Sequence, residues 1–166
     1  MRSVRLGLVL VGMLVMGATS LQGQRFGVQG SWGDDVDFGV GGRFELDLEN
    51  ALSSEPPFSR TFIIGAFDYF FQDCDPFDCS YWELNGNLAV PFGSADASVD
   101  PYAGAGINIA RGSVEDFDNT EVGLNLLGGL KFPLGGVSAF GEARIELGGG
   151  EQFVITGGIL FGGGGS

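Results

Sequence analysis

The sequence predicts an all-β protein, an eight-stranded antiparallel up-and-down transmembrane β-barrel that is preceded by a signal peptide. Three observations support this fold class: an N-terminal segment typical of export, eight later segments in which apolar and polar residues alternate, and the unusual length of those segments. No apolar run after the first segment reaches the roughly 20 residues that a membrane-spanning helix needs. Any membrane insertion of the mature chain is therefore expected to use strands.

The N-terminal segment has the organisation of a secretory signal peptide. Arg2 and Arg5 form a basic head, residues 6–16 carry no polar side chain, and small residues follow at 17–20. The apolar run is too short for a membrane anchor. We therefore expect three parts along the chain. They are a signal peptide over residues 1–23 with cleavage near 20–23, a β-barrel domain over 24–161, and a Gly/Ser tail or linker over 162–166.

Charge and composition exclude several function classes. Removal of the signal segment takes away two arginines and no acidic residue, so the net charge changes from −13 to −15. A chain this acidic has no basic surface for the phosphates of a nucleic acid. Histidine is absent, and we find no nucleophile–base pair or phosphate-binding loop. We therefore expect no enzymatic activity, no cofactor, no bound metal and no nucleic-acid partner.

Eight segments of the mature chain alternate with a period of two residues between clusters of turn-forming residues. Most contain about 10 to 13 residues, which suits a tilted strand that crosses a bilayer, whereas strands of globular proteins usually contain about five or six. The expected strands are 25–33, 36–48, 61–72, 81–91, 101–111, 120–132, 136–148 and 151–161.

The seventh segment shows the alternation most clearly. One face carries Val137, Ala139, Gly141, Ala143, Ile145 and Leu147, and the other carries Ser138, Phe140, Glu142, Arg144 and Glu146. A soluble barrel with an apolar interior and a membrane barrel with an apolar exterior both produce this pattern. The signal segment, the strand lengths and the mixed charges of the polar face favour the membrane barrel, because charges in a narrow lumen must be paired. The expected lumen charge network is Arg43, Glu45, Asp68, Glu83, Lys131, Glu142, Arg144 and Glu146.

Aromatic residues gather near the ends of the predicted strands. Examples are Trp32, Tyr69, Phe70, Phe71, Tyr81, Trp82, Phe132 and Phe161. Such positions fit the aromatic girdles that membrane barrels place at the two interfaces. Ordinary β-propensity accounts for them equally well.

The two cysteines, Cys74 and Cys79, lie in one acidic connection. An exported chain permits a disulfide between them, and Pro76 helps to form the turn that brings the sulfur atoms together. Two cysteines without histidine make an incomplete zinc site. The aspartates of the same connection, and Glu115, Asp116 and Asp118 in a later one, are oxygen ligands of the kind that calcium prefers. We favour solvated acidic loops over calcium sites in both places.

Three stretches resemble a known family: PYAGAGINIAR at 101–111, GGLKFPLGGVSAFGEAR at 128–144 and EQFVITGGILF at 151–161. They resemble the small bacterial outer-membrane β-barrel proteins of the OmpA/OmpX type. The resemblance implies location in the bacterial outer membrane, with outer-membrane lipid and the outer-membrane assembly machinery as partners. It also implies that the last strand carries the assembly signal, formed by Phe153, Ile155, Ile159 and Phe161. The five residues after Phe161 depart from the family pattern, in which the chain commonly ends on the aromatic residue.

The resemblance further implies that both ends of the barrel domain face the periplasm. The outward-facing connections would then lie near Gly33–Asp35, Asp73–Ser80, Gly112–Asn119 and Gly148–Gly150. The long connection near Glu49–Arg60 would face the periplasm, so the lengths of the loops do not support this orientation.

The function expected from these observations is that of a monomeric outer-membrane barrel with a structural, envelope or surface-interaction role and no catalysis. Eight strands enclose an interior just wide enough for side chains to fill, so we expect a plugged lumen. Two alternatives remain open at this point. One is a soluble periplasmic, lipocalin-like barrel that binds a small apolar ligand, and the other is a narrow channel.

Overall fold

The computed structural model describes residues 23–48, 60–72, 79–94, 97–114, 117–148 and 151–162. The signal segment over residues 1–22 and the tail after Gly162 lie outside these ranges. Eight antiparallel strands form a closed barrel in which each strand pairs with the next and the last pairs with the first. The strands are β1 (Gln24–Gly33), β2 (Asp37–Asp47), β3 (Phe62–Phe70), β4 (Cys79–Pro91), β5 (Asp100–Val114), β6 (Phe117–Pro133), β7 (Val137–Leu147) and β8 (Gln152–Gly162). The predicted fold class and strand number are confirmed.

The register of the pairs gives the barrel its stagger. Stepping from Gln24 to the paired residue on each successive strand ends at Phe153, whose backbone C=O accepts a hydrogen bond from the Asp34 N–H at 3.1 Å. The residues on this path are Gln24, Leu46, Ile63, Leu88, Ala105, Leu126, Ile145 and Phe153. One circuit of the barrel therefore returns to the first strand ten residues further along, at Asp34 instead of Gln24. Such a stagger in eight strands requires a strand tilt of about 40° and leaves an interior that side chains can fill.

The sequence alternation is folded with its apolar face outside. Val122 and Leu124 on β6 are 65% and 60% exposed, whereas Glu83 and Arg144 on the other face of their strands are 0% and 2% exposed. A soluble barrel would have the opposite arrangement. The alternation alone allows both arrangements, and the structure confirms the predicted membrane barrel.

The outer surface forms an apolar belt. Among the described strands, Arg111 and Asp118 are the only charged residues at outward-facing positions, and both lie near one end of the barrel. On β6 the belt extends from Val122 to Phe132. About ten residues, at about 3.3 Å each and tilted by about 40°, give a belt about 25 Å high. This height matches the apolar band of outer-membrane barrels.

Aromatic residues on the outer surface lie toward both edges of the belt. Near one edge lie Phe26, Phe44, Phe132 and Phe161, and near the other lie Trp32, Phe38, Tyr69, Phe71 and Trp82. The girdle prediction was wrong for Phe70 and Tyr81, because their positions in the alternation turn them inward. Phe70 is fully buried, and its ring lies 5.7 Å from that of Tyr81.

The two ends of the barrel differ. We call the end with Gly23 and Gly162 the terminal end, and the end with the β1–β2, β3–β4, β5–β6 and β7–β8 connections the hairpin end. At the hairpin end, β5 and β6 are longer than predicted and stay paired up to Val114 and Phe117. The expected connection over Gly112–Asn119 is therefore mostly strand. Within the described ranges, no helix is long and apolar enough to cross a membrane.

Candidate functional site in the barrel interior

The inward-facing side chains of all eight strands fill the barrel, and those of every strand except β3 contribute to two charge clusters. The terminal cluster comprises Arg25, Arg43, Glu45, Asp47, Tyr102, Lys131 and Glu142. The hairpin cluster comprises Tyr81, Glu83, Asn85, Asn108, Arg144, Glu146 and Gln152. Both clusters assemble from strands that are far apart in sequence, since the inward positions of every strand face the same narrow space.

The terminal cluster is balanced in charge, with three cationic and three carboxylate side chains. Arg43 Nε donates to Glu45 at 2.9 Å, and its Nη1 donates to Glu142 at 2.9 Å. Lys131 Nζ donates to the other oxygen of Glu45 at 2.6 Å. Tyr102 donates its hydroxyl to Glu142 at 2.8 Å. Every buried charge in this cluster therefore has a partner of opposite sign, as tolerance of a buried charge requires.

Aromatic rings complete the surroundings of two of these cations. The Arg43 guanidinium lies 4.3 Å from the centre of the Phe140 ring. The Lys131 ammonium lies 3.5 Å from the centre of the Phe62 ring. Cation–π contacts of this kind gain strength in a desolvated interior. The cations are consequently held on one side by carboxylates and on the other by ring faces.

The hairpin cluster is centred on one guanidinium between two carboxylates. Arg144 donates from Nη2 to Glu83 at 2.8 Å and from Nε to Glu146 at 2.7 Å. Gln152 donates to both of these carboxylates, and Asn108 donates to Glu146 at 2.8 Å. Neutral amide donors therefore supply the hydrogen bonds that the single arginine leaves open.

Asp68 lies apart from both clusters. Its Oδ1 accepts hydrogen bonds from Gln29 and from Ser31, each at 2.8 Å, and Ser31 also contacts Thr156 at 3.0 Å. Among the described residues, Asp68 is in no ion pair and its Oδ2 has no hydrogen-bond partner. The residue is nevertheless fully buried. It is held by neutral donors alone.

The structure brings together most of the residues that the sequence analysis assigned to the lumen. All eight are at most 6% exposed. Four of them, Arg43, Glu45, Lys131 and Glu142, meet in the terminal cluster. Glu83, Arg144 and Glu146 meet in the hairpin cluster, whereas Asp68 joins neither.

The lumen charge network predicted from the sequence leaves out the neutral and the apolar part of the interior. The missed polar residues include Gln29, Asn85, Asn87, Asn108, Asn125 and Gln152, all at most 6% exposed. Asn125 donates to the amide oxygens of Asn85 and Asn87 at 2.8 and 2.9 Å, which joins β6 to β4. Each of these residues lies on the same face of its strand as the charged residues, and this position in the alternation is the signal that could have found them. The apolar group Phe62, Ile64, Ala89, Tyr102 and Leu127 also lies inside, so β3 carries apolar side chains on both of its faces.

Inward-facing glycines make room for the aromatic rings of Tyr102 and Phe140 in the lumen. A Cβ atom at Gly129 would lie 2.4 Å from Cζ of Tyr102, and one at Gly158 would lie 2.7 Å from the Phe140 ring. At Gly141, which faces outward, a Cβ atom would meet no atom within 4 Å. Part of the glycine content is thus required by the packing of the lumen.

Apolar side chains cover the hairpin cluster, whereas the terminal cluster borders a depression. At the hairpin end Val36, Phe70 and Val154 pack together with Tyr81 against them. A depression of about 230 Å³ above them is bounded by residues that include Asp35, Tyr81, Glu151 and Gln152. At the terminal end a depression of about 110 Å³ is bounded by Arg25, Asp47, Arg60, Phe62, Pro91, Asp100 and Lys131. Each depression is thus lined in part by residues of the charge cluster at its own end of the barrel.

Two other sequence expectations fall largely outside the described residues. Cys79 begins β4, but Cys74 and the neighbouring aspartates lie outside those ranges, and the disulfide stays a prediction. Glu115 and Asp116 are likewise outside them, while the exposed Asp118 pairs with Arg111 at 2.6 Å. Within the described ranges, no three acidic or cysteine side chains are arranged as metal ligands.

The barrel with an apolar belt and a charged interior belongs to the class of transmembrane β-barrel folds. The N-terminal β-barrel domain of Pseudomonas aeruginosa OprF is similar, with a TM-score of 0.64, 13% identity, and coverage of 84% of this chain and 97% of that one. A de novo designed transmembrane β-barrel has a TM-score of 0.56 at 13% identity, covering 86% and 97%. Ail, the attachment invasion locus protein of Yersinia pestis, has a TM-score of 0.50 at 14% identity, covering 84% and 97%. No family model and no curated protein sequence matches the chain.

Proposed function

We propose that this chain is a monomeric bacterial outer-membrane protein with a closed lumen, a structural or surface-interaction role and no catalytic activity. The observation that carries the proposal is the inverted distribution of polarity, with ionised side chains paired inside and an apolar belt about 25 Å high outside. A signal peptide over residues 1–23 would deliver the chain across the inner membrane. The outward-facing Phe153, Ile155, Ile159 and Phe161 of β8 would present the assembly signal.

The closed lumen is supported by ion pairs that join strands that are not neighbours. Arg43 on β2 pairs with Glu142 on β7, and Arg144 on β7 pairs with Glu83 on β4. Lys131 on β6 pairs with Glu45 on β2. These pairs cross the lumen, so an ion or solute could pass only if several buried ion pairs separated at once. Separation of buried pairs is costly because each charge is left without a partner.

The surface-interaction role is supported by the charge of the hairpin end. Asp34, Asp35, Asp37, Asp118, Glu121 and Glu151 lie there, and among the described residues Arg111 is the one cationic side chain at the surface of this end, since Arg144 is buried in the hairpin cluster. These six carboxylates outnumber the one surface cation, Arg111, that could pair with them. This end therefore presents a negative field to whatever approaches it.

Three measurements test the proposal. The refolded protein in detergent should migrate on gels differently before and after boiling, and the native protein should fractionate with the outer membrane. In planar bilayers the protein should show no steady conductance at neutral pH. Recovery as a soluble monomer without detergent would contradict the membrane assignment, and a steady single-channel conductance would contradict the closed lumen and favour the narrow channel.

A further inference from the structure

Three carboxylates, Asp68, Glu83 and Glu146, lie in the lumen toward the hairpin end, and Asp68 differs from the other two. Glu83 and Glu146 accept hydrogen bonds on both of their oxygens, and each of them pairs with Arg144. Asp68 is fully buried and accepts hydrogen bonds on Oδ1, while its Oδ2 has no partner among the described residues. A buried carboxylate without a cation is costly, so Asp68 is the position at which this end of the lumen needs a positive charge.

Neutral oxygen atoms surround the same carboxylate. Gln29 donates its amide N–H to Asp68 Oδ1 at 2.8 Å, and the amide oxygen of Gln29 is buried without a partner among the described residues. The hydroxyl oxygen of Ser31 lies 2.8 Å from Asp68 Oδ1 and 3.0 Å from the hydroxyl oxygen of Thr156. All four side chains are at most 6% exposed. Two acceptors that lack a donor, Asp68 Oδ2 and Gln29 Oε1, therefore belong to side chains that contact each other.

The glycine at position 41 lets Asp68 reach these partners. Asp68 on β3 pairs with Gly41 on β2, and Gly41 pairs with Gln29 on β1. A Cβ atom at Gly41 would lie 2.5 Å from Asp68 Oδ1. Because glycine leaves this space free, the Asp68 side chain extends across β2 and contacts side chains of β1. The group is thus built on three neighbouring strands, and Thr156 adds a hydroxyl from β8.

The oxygen atoms of this group are of the kind that binds hard cations. Carboxylate and amide oxygens suit the alkali and alkaline-earth ions, whereas transition metals prefer imidazole nitrogen and thiolate sulfur. Asp68 is the one charged side chain of the four, so the group carries a single negative charge. Calcium takes roughly six to eight oxygens, often from several carboxylates, and magnesium keeps several of its waters. A monovalent ion matches this smaller donor set and its single charge more closely.

We propose that Asp68, Gln29, Ser31 and Thr156 bind one sodium ion in the lumen. The ion lies between Asp68 Oδ2 and Gln29 Oε1, with the two hydroxyl oxygens as further donors. It neutralises the buried carboxylate and links β1, β3 and β8, so its effect is on the stability of the closed barrel. The proposal departs from the sequence-based expectation of no bound metal, and it does not depend on the surface-interaction role.

The test measures equilibrium unfolding by urea in mixtures of sodium chloride and choline chloride at one total concentration. The protein is refolded in each mixture, so that the ion can enter before the lumen closes. An ion that binds the folded state alone should lower the unfolding constant about tenfold for each tenfold rise in sodium above the Kd of a single site. An unfolding constant that is the same in all mixtures would overturn the proposal. A dependence on calcium chloride without one on sodium chloride would overturn it as well.

Asp68→Asn locates the effect. The variant keeps the shape of the side chain and removes its charge, so its unfolding constant should not depend on sodium. Asp118→Asn is the matched control, because Asp118 is an exposed carboxylate that pairs with Arg111, and this variant should keep the tenfold fall of the parent. A sodium dependence that persists in Asp68→Asn would place the ion elsewhere and would overturn the proposal.

A second variant keeps the test independent of how Asp68→Asn folds. Ser31→Ala leaves the carboxylate in place and removes one oxygen donor, so the sodium concentration at which the unfolding constant begins to fall should rise by about threefold or more. An unchanged sodium dependence in Ser31→Ala would contradict the proposed set of ligands. Gel migration of the same samples before and after boiling separates the two proposals. A barrel that keeps its heat-dependent migration but ignores sodium rejects the ion site alone, whereas loss of that migration in every salt rejects the membrane function.

Discussion

Arg43 and Glu142 lie on two strands that are not neighbours in the barrel, β2 and β7, yet their side chains meet in the lumen at 2.9 Å. Both side chains are almost completely buried. A contact of this kind joins opposite parts of the barrel wall directly. The stability of this barrel should therefore depend on its interior charges as well as on the hydrogen bonds between its strands.

Replacement of Arg144 by methionine should strongly destabilise the barrel. The variant leaves Glu83 and Glu146 without their common cationic partner in a buried site. Removal of one partner from a buried ion pair costs about 3–5 kcal/mol. The measurement is urea-induced unfolding in lipid vesicles, followed by tryptophan fluorescence. Arg111→Met is the control, because its pair with Asp118 is exposed and an exposed pair contributes about 0–1 kcal/mol. Equal losses for the two variants would contradict the buried network.

Arginine at the middle of the belt should oppose insertion. Leu126 lies halfway along the outward face of β6 and is 51% exposed. Leu126→Arg should cost about 2–4 kcal/mol at the bilayer midplane, whereas Val122→Arg at the edge of the belt should cost about 0–1 kcal/mol. The free energy of folding into vesicles gives both values. If both changes were neutral, the outer surface would face water and the soluble barrel would be favoured.

A methyl group on an inward glycine should disturb the packing of the lumen. At Gly158 a Cβ atom would lie 2.4 Å from the Val28 backbone oxygen and 2.7 Å from the Phe140 ring. Gly158→Ala should therefore cost about 1–3 kcal/mol through overpacking. Gly141→Ala, on the outward face with open space around it, is the matched control and should be close to neutral. The comparison of the two unfolding midpoints is the measurement, and a neutral Gly158→Ala would contradict the tight packing of Gly158 against the Phe140 ring.

The disulfide between Cys74 and Cys79 is directly testable. Thiol titration of the denatured, unreduced protein should find no free thiol, and two after reduction. The loop that this bond closes is very short, so its entropic contribution to stability should be small compared with that of a long-range disulfide. The double variant Cys74→Ser with Cys79→Ser should fold with nearly unchanged stability. Two free thiols in the protein as isolated from the oxidising compartment would disprove the bond.

The alternation along single strands was sufficient to predict several features from sequence. Glu142, Arg144 and Glu146 share one face because side chains of a strand alternate between its two faces. The same rule turns Phe70 and Tyr81 inward, although their position near strand ends led us to place them in a girdle. The extension of β5 and β6 was missed because most residues of 112–119 are of types common in loops, whereas in the structure Gly112, Ser113 and Val114 pair with both β4 and β6.

Sequence by itself determined the number of strands, their approximate bounds and the set of residues that share each face. These properties follow from a period of two residues, which is local. The alternation by itself did not decide which face is inside, because exchanging inside and outside leaves a period of two unchanged; the strand lengths and mixed charges favoured a polar interior, and the tertiary structure confirms it. It also decided that Arg43 meets Glu142, 99 residues away, and that Asp68 meets no cation among the described residues. Those contacts depend on closure of the barrel and on its stagger of ten residues, which are set by all eight strands together.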